Sequence, residues 1–410
     1  MLNKIISLIK KSFAYRVYLK AVKKYNIFTI DKIYPLIYNL YARYPVNENK
    51  VLFIEYTHPH MTESFICLYN ALKNGYRYDT ECVFCMHNTG SRRQQRKRMR
   101  RIIKKAAAAK YIFFNEGNDR FSRIAFRPET EVTQLWHGCG AFKRFGLSCA
   151  DLKFGATREY MQTHPFYNGY KTVTVSSAEV MWAYEQAMGY TRESGVVKPL
   201  GISRTDDFYD EKYISDSYEM LYKAVPQAKG KKVLLYAPTF RGHVNSACAP
   251  DFLDIRRLHE KLSGEWVLII KQHPHVKKRP QVPEECAAFA FDVSDSMQIN
   301  NLLCAADVCI SDYSSLVFEY SLLQRPMIFL APDLEEYFDW RGFYYDYYDM
   351  TPGPVVKTTD EIIDFIKSLP GSFDMNRVIN FRNRFMSACD GHSTERIIRE
   401  VFDNPEKHRK

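Results

Sequence analysis

No apolar run in this chain approaches the roughly 20 residues that a membrane-spanning helix needs. No secretory leader opens it either, so the expectation is a cytoplasmic or peripheral protein in a reducing compartment. There is no G-x-G-x-x-G and no Walker A string, so neither of those phosphate-binding loops is signalled. Internal repeats and low-complexity linkers are missing. The ten cysteines are scattered, and Cys82 and Cys85 form a single C-x-x-C, with His87 close by. A structural zinc site needs a second such pair. The string "ECVFCM" therefore reads as a buried strand, and no metal is expected.

What is present is 410 residues, 46% hydrophobic and 26% charged, a globular composition too long for one ordinary core. The formal charge of +11 favours anionic partners. Aromatics at 15% are rich, as at interfaces and sugar-binding sites. Leu2, Ile5, Ile6, Ile9, Phe13 and Val17 fall on one helical stripe, with Lys4, Lys10 and Lys11 off it. That pattern predicts an N-terminal amphipathic helix over 1–30 that lies in a membrane interface. Nine Lys or Arg fall between 92 and 105 with no balancing acid. Anionic headgroups or a polyphosphate chain fit that run. Nucleic acid is not expected as a partner, because no nucleic-acid-binding pattern accompanies it.

Two alternating sets of short apolar runs follow. "KVLFIEY", "CVFCM", "YIFFN" and "EVTQLWHG" form the first; "KKVLLYAPTF", "EWVLIIKQHPH", "DVCISD" and "PMIFLAPD" form the second. Such runs suit buried parallel strands. The fold expected is α/β, with two Rossmann-like domains over residues 31–210 and 211–375, and a C-terminal crossover helix and tail over 376–410.

In open α/β sheets ligands bind at the carboxyl ends of the strands, which selects five places. His137 and Gly138 follow "VTQLW", where an imidazole can act as a general base. Thr239 and Arg241 follow "LLYAP". Lys271 and His273 end "LIIKQHPH" and suit a diphosphate. Asp312, Ser314 and Ser315 open a helix running to about Leu323, a phosphate-binding arrangement. Glu319 lies one turn in, within reach of a ribose hydroxyl. Arg341 and Gly342 sit in an aromatic loop. The bland alternatives are a packed histidine, surface arginines and a capped helix.

These strings together resemble the CDP-glycerol glycerophosphotransferase family, the teichoic acid primases and polymerases. The resemblance rests on Trp136, His137, Gly138, Lys143, Arg144 and Gly146; on Pro238, Thr239 and Arg241; and on Lys271, His273 and Pro274. It also rests on Asp312 to Ser315 and on Tyr337, Arg341, Gly342 and Phe343. The chain departs from the family at Cys139-Gly140-Ala141, at Ser203 in Gly201–Asp206, and at Glu319, where the family usually has Asp.

The resemblance implies a GT-B-like arrangement, with the two domains facing a central cleft. It also implies transfer of glycerol phosphate from CDP-glycerol to a hydroxyl, with release of CMP and no obligatory cofactor or metal. In that scheme His137 is the base. His273, Arg241, Arg341, Ser314 and Ser315 hold the diphosphate, and Glu319 holds the ribose. The expected acceptor is an undecaprenyl-linked saccharide or a growing polyol-phosphate chain, met at the cytoplasmic face of an anionic membrane. A CDP-ribitol enzyme of the same family, a GT-B glycosyltransferase using a nucleotide sugar and a polyanion-binding module are the other readings.

Overall fold

A computed structural model describes residues 13–85, 90–153, 155–243, 246–369, 371 and 373–410. The first set of apolar runs forms strands β1 (Asn47–Glu55), β2 (Asp79–Phe84), β3 (Ala109–Phe114), β4 (Glu131–Gln134), β5 (Thr172–Thr174) and β6 (Val197–Lys198). The second forms β7 (Lys232–Tyr236), β8 (Trp266–Ile270), β9 (Ala290–Asp292), β10 (Val308–Ser311), β11 (Met327–Leu330) and β12 (Val355–Val356). Their order is β2-β1-β3-β4-β5-β6 in one sheet and β12-β11-β10-β7-β8-β9 in the other, and every pairing is parallel. The reason lies in the runs themselves. Val51–Ile54, Tyr111–Phe114 and Val267–Ile270 are buried on both faces, so helices must cover each side, and crossover helices make neighbouring strands parallel.

Strand order reverses between β1 and β3 in the first sheet and between β7 and β10 in the second. A crevice opens at such a switch point. The loops after β1, β3 and β4 therefore face those after β7, β8 and β10.

The chain leaves the first domain through the 3-10 segment Ser203–Tyr209 and the helix Glu211–Ala224. It returns as two helices rather than the single crossover helix expected. Asn376–Phe385 packs on Leu316–Ser321 of the second domain, with Phe381 stacked on Phe318 at 5.0 Å. Ser393–Val401 then enters the first domain, where Ile397, Ile398, Val401 and Phe402 pack with Val51, Phe53 and Phe65. The break comes at Asp390-Gly391, where Gly391 takes a left-handed φ of 90° that a helix does not accept.

Leu2, Ile5, Ile6 and Ile9 of the expected N-terminal stripe lie outside the described residues, as does His87. Phe13 and Val17 lie on the helix Phe13–Phe28, and both are exposed. A π turn at Thr29–Ile33 joins it to Tyr34–Tyr41, which has Pro35 in its first turn. The basic run forms the helix Arg92–Ala108, opened by a Ser91–Gln94 capping box. Most of its partners are rings: Arg92 lies over Tyr18, Arg96 over Tyr25 and Lys104 over Tyr41, while Lys105 pairs with Glu81 of β2. Among the described residues no helix is long and apolar enough to cross a membrane.

Candidate active site

Strand β4 ends at Gln134, two residues earlier than the run "VTQLW" predicts, because the chain turns at Trp136. That residue takes a φ of 62°, a strained setting for a bulky side chain. Its N–H donates to Gln134 Oε1 at 2.9 Å, and its ring packs against Phe145, Tyr167 and Tyr184. This turn delivers His137 to the cleft. The His137 side chain is exposed, and its ring opens on a cavity of about 480 Å³ lined also by Thr57, Glu116, Tyr167 and Arg341.

The tautomer of His137 follows from one bond. Its Nδ1 lies 3.2 Å from the Asn115 carbonyl, which only accepts, so Nδ1 carries the proton and Nε2 is left with a lone pair. The surrounding protein lowers the pKa; Glu116 and the bond to Asn115 oppose the shift without cancelling it. The ring is therefore neutral at neutral pH. Asn115 is fixed in turn: its Nδ2 donates to Glu55 Oε2 at 2.9 Å and to Thr62 Oγ1 at 2.8 Å. Burial pushes the Glu55 carboxyl up, but bonds from His58, Thr62 and Asn115 outweigh burial and hold it below its ordinary value.

His273 has the opposite arrangement. Its Nδ1 accepts the backbone N–H of His275 at 3.1 Å, so the neutral ring carries its proton on Nε2. Burial, with repulsion from His275, Lys143 and Arg341, pushes its pKa down to about 3. His273 is thus a neutral hydrogen-bond donor. Lys271 turns away from the cleft: its ammonium donates to the carbonyls of Ser294 at 2.8 Å and Met297 at 2.5 Å.

Arg241 is braced. It meets Asp333 through Nε at 2.6 Å and Nη2 at 3.1 Å, and Asp312 through Nη1 at 2.9 Å. The rings of Tyr313 and Tyr337 lie 5.0 Å and 5.2 Å from its guanidinium. The Oδ1 of Asp312 accepts from the N–H groups of Thr239 and Tyr313. The side chains of Arg241 and Asp312 thus tie the β7 and β10 loops together, while the Thr239 hydroxyl is buried without a partner among the described residues.

The two domains touch through the basic pair. Lys143 bridges Phe343 in antiparallel register, Arg144 N–H donates to the Gly342 carbonyl at 3.1 Å, and Tyr344 N–H donates to Phe142. Gly342 has a φ of 72°, which sets Arg341 at the helix end beside this bridge. Lys143 is left half-buried, with no ion-pair partner among the described residues. Burial and the nearby Arg341 push its ammonium down to about 7, against the pull of Asp312.

Ser315 reaches the first domain. A Cβ on Gly138 would lie 3.4 Å from its Oγ, so the His137 loop and the Asp312–Ser315 string meet directly. The helix that follows ends at Ser321, short of the expected Leu323. Glu319 does not line the cleft. It is 1% exposed and paired with Arg204, whose Nη1 also donates to Asn300 Oδ1 at 3.2 Å and approaches Glu63 at 3.9 Å. The divergent Cys139-Gly140-Ala141 segment is buried. Gly140 has a φ of 62°, and a Cβ there would lie 2.3 Å from the Phe318 ring, so the segment packs between the domains. Among the described residues no group of three or more His, Cys, Asp and Glu is placed to hold a metal.

A family profile described as CDP-Glycerol:Poly(glycerophosphate) glycerophosphotransferase matches residues 36–403. The chain belongs to this family. It is 33% identical to a teichoic acid poly(ribitol-phosphate) polymerase of Bacillus spizizenii over 89% of the chain, but spans only 58% of that relative's length. It is also 33% identical to the teichoic acid ribitol-phosphate primase of that organism, over 87% of the chain and 92% of the relative. Identity to its poly(glycerol phosphate) polymerase is 26%, over 93% and 99%. Structures of the wall teichoic acid polymerase TagF superpose with a TM-score of 0.76 at 19% identity, covering 96% of this chain and 98% of that one. One such structure is a His-to-Asn variant soaked with CDPG. The architecture is thus the GT-B-like one expected, and the chain is a transferase.

Several residues of this glycerophosphotransferase-family site were not picked out from sequence. Glu55 and Asn115 orient His137, and Glu116 lines its cavity. Asp333 fixes Arg241, and Arg204 holds Glu319. Lys143 was named within the His137 string, but its role as a half-buried, unpaired cation was not read from it. The others act through partners on distant loops.

Proposed function

We propose that the protein transfers an alditol phosphate from a CDP-alditol to a hydroxyl of a membrane-linked acceptor. The observation that carries this reading is the pair of histidines in opposite tautomers, with an unpaired lysine nearby. His137 Nε2 takes the proton of the acceptor hydroxyl. The oxygen attacks the β-phosphorus, which bears the alditol. The bond from that phosphorus to the bridging oxygen breaks, and CMP leaves with that oxygen. His273 Nε2–H donates to the departing phosphate, while Lys143, Arg341 and the Ser314 and Ser315 hydroxyls offset its charge.

For the alditol, the reading favours ribitol over the glycerol that the motifs suggest, because the relatives at 33% identity are named for ribitol phosphate. Incubation with CDP-ribitol, CDP-glycerol and UDP-sugars, with CMP and UDP release measured, tests both levels. UDP release alone would overturn the reading. Lys143→Met is expected to raise the donor KM about 10- to 100-fold, the value of a charge-assisted contact. The wild-type donor affinity is expected to weaken as pH rises through about 7 in the free enzyme, since only the protonated amine attracts phosphate. A pH-independent donor affinity would remove Lys143 from the site.

The acceptor side of the reading rests on the N-terminal surface. Leu36, Leu40 and Tyr44 are exposed at a spacing of four residues, and Tyr18, Tyr25 and Phe28 are exposed on the preceding helix. Arg93, Lys97, Arg100, Arg101 and Lys104 are exposed on one side of the adjoining basic helix. Apolar anchors beside cations suit an anionic bilayer surface. Flotation with anionic vesicles is expected to lose the protein when Leu36 and Leu40 are both changed to Glu. Unchanged flotation would discard this surface.

A further inference from the structure

A second cavity, of about 560 Å³, opens beside Arg341, which also lines the His137 cavity. Arg241, held by Asp333, and the exposed Glu336 also line it, and the transfer just described places no group against its aromatic walls. Phe240 and Phe252 form one wall, and Tyr337 and Trp340 of the helix Leu334–Arg341 form another. Lys153 reaches it from the first domain and makes no ion pair among the described residues. The volume is in the ordinary range for a small-molecule site. Aromatic faces pack on the C–H groups of hydroxylated chains, and cations attract phosphodiesters.

The first-domain loop carrying Cys149 and Gly155 borders the His137 cavity, and the same loop places Lys153 in the second. A ligand can therefore run from the base past Arg341 along one continuous edge. We propose that the second cavity is a subsite for an acceptor unit already added: a polyol-phosphate unit one phosphodiester behind the reacting hydroxyl. This rests on the alditol phosphate reading above. The cavity then favours acceptors that already carry a chain, and Lys153 faces the diester linking the two units.

The test titrates full-length protein with short oligo(ribitol phosphate) and oligo(glycerol phosphate), free of nucleotide, by calorimetry. Trp340→Ala and Lys153→Met are each expected to weaken oligomer binding about tenfold, with CDP-alditol binding and the melting temperature unchanged. In turnover, KM for a chain-bearing acceptor rises in Trp340→Ala, while KM for an acceptor lacking a chain does not move. Oligomer affinity indifferent to both substitutions overturns the proposal. So does an equal loss of donor affinity, which would make the cavity a donor subsite. Failure of the function itself reads differently: neither CDP-alditol would release CMP, while the titration would still report on the cavity.

Discussion

Replacing His137 with Gln is expected to lower kcat by about 10²- to 10⁴-fold, the span a general base commands, while CDP-alditol still binds. Gln can keep the bond to the Asn115 carbonyl but has no lone pair that accepts a proton at neutral pH. The pH profile makes the test specific. A base works only when unprotonated, so activity is present above the His137 pKa and lost as pH falls through it. The protein around the ring holds that pKa below the ordinary value of 6.5, so the acid limb of kcat/KM lies below 6.5. His273, at about 3, stays neutral throughout and adds no limb near neutrality. Glu116→Gln removes the charge that raises the His137 pKa, and should move the acid limb lower still. A His137→Gln enzyme of full activity, or one that keeps the limb, would take the base away from this residue.

The strand ends were legible because two rules act locally. An apolar run buried on both faces becomes a parallel strand, and polar residues just after it face the crevice. That is enough to place His137, Thr239, His273 and Ser315 at the cleft without knowing any contact. What escaped were the partners of each charge. Arg241 reads as a phosphate ligand from the β7 run alone, yet Asp333, 92 residues on, holds its fork. Glu319 reads as a ribose ligand, yet Arg204, 115 residues before it, pairs with it. The run at 92–105 carries no acid of its own; its partners are tyrosines of the N-terminal helices and Glu81 of β2. Pairings of this range depend on how the domains meet, and no local pattern encodes them. The Cys139-Gly140-Ala141 departure is settled in the same way. It fits an interdomain contact with Phe318, so it bears on how the domains meet more directly than on which alditol is transferred.

Arg204→Met is expected to destabilise the protein by about 3–5 kcal/mol, because breaking a buried pair strands the remaining charge. Glu319 is 1% exposed, and its Oε2 already has no partner among the described residues. Without Arg204, the carboxylate would lose its one ion pair among the described residues. For a chain of this size the loss corresponds to a fall in melting temperature of about 3–6 °C. Glu63 sharpens the expectation. Burial already raises its pKa, and the charge of Arg204 is the main influence opposing that rise; removing Arg204 raises it further. A carboxyl whose folded pKa exceeds its unfolded value favours the folded state when protonated, so the deficit grows as pH rises through the Glu63 pKa. The double variant Arg204→Met, Glu319→Leu removes both charges and should recover a large part of the loss, as apolar replacements of buried pairs do. Since Arg204 stands between Glu63 of the first domain and Glu319 of the second, the recovered double variant should also show a changed donor KM if the pair sets how the domains meet. Thermal melts of single and double variants across pH decide it: equal melting of Arg204→Met and wild type, or a double variant no better than the single, would show that the pair does not hold this junction.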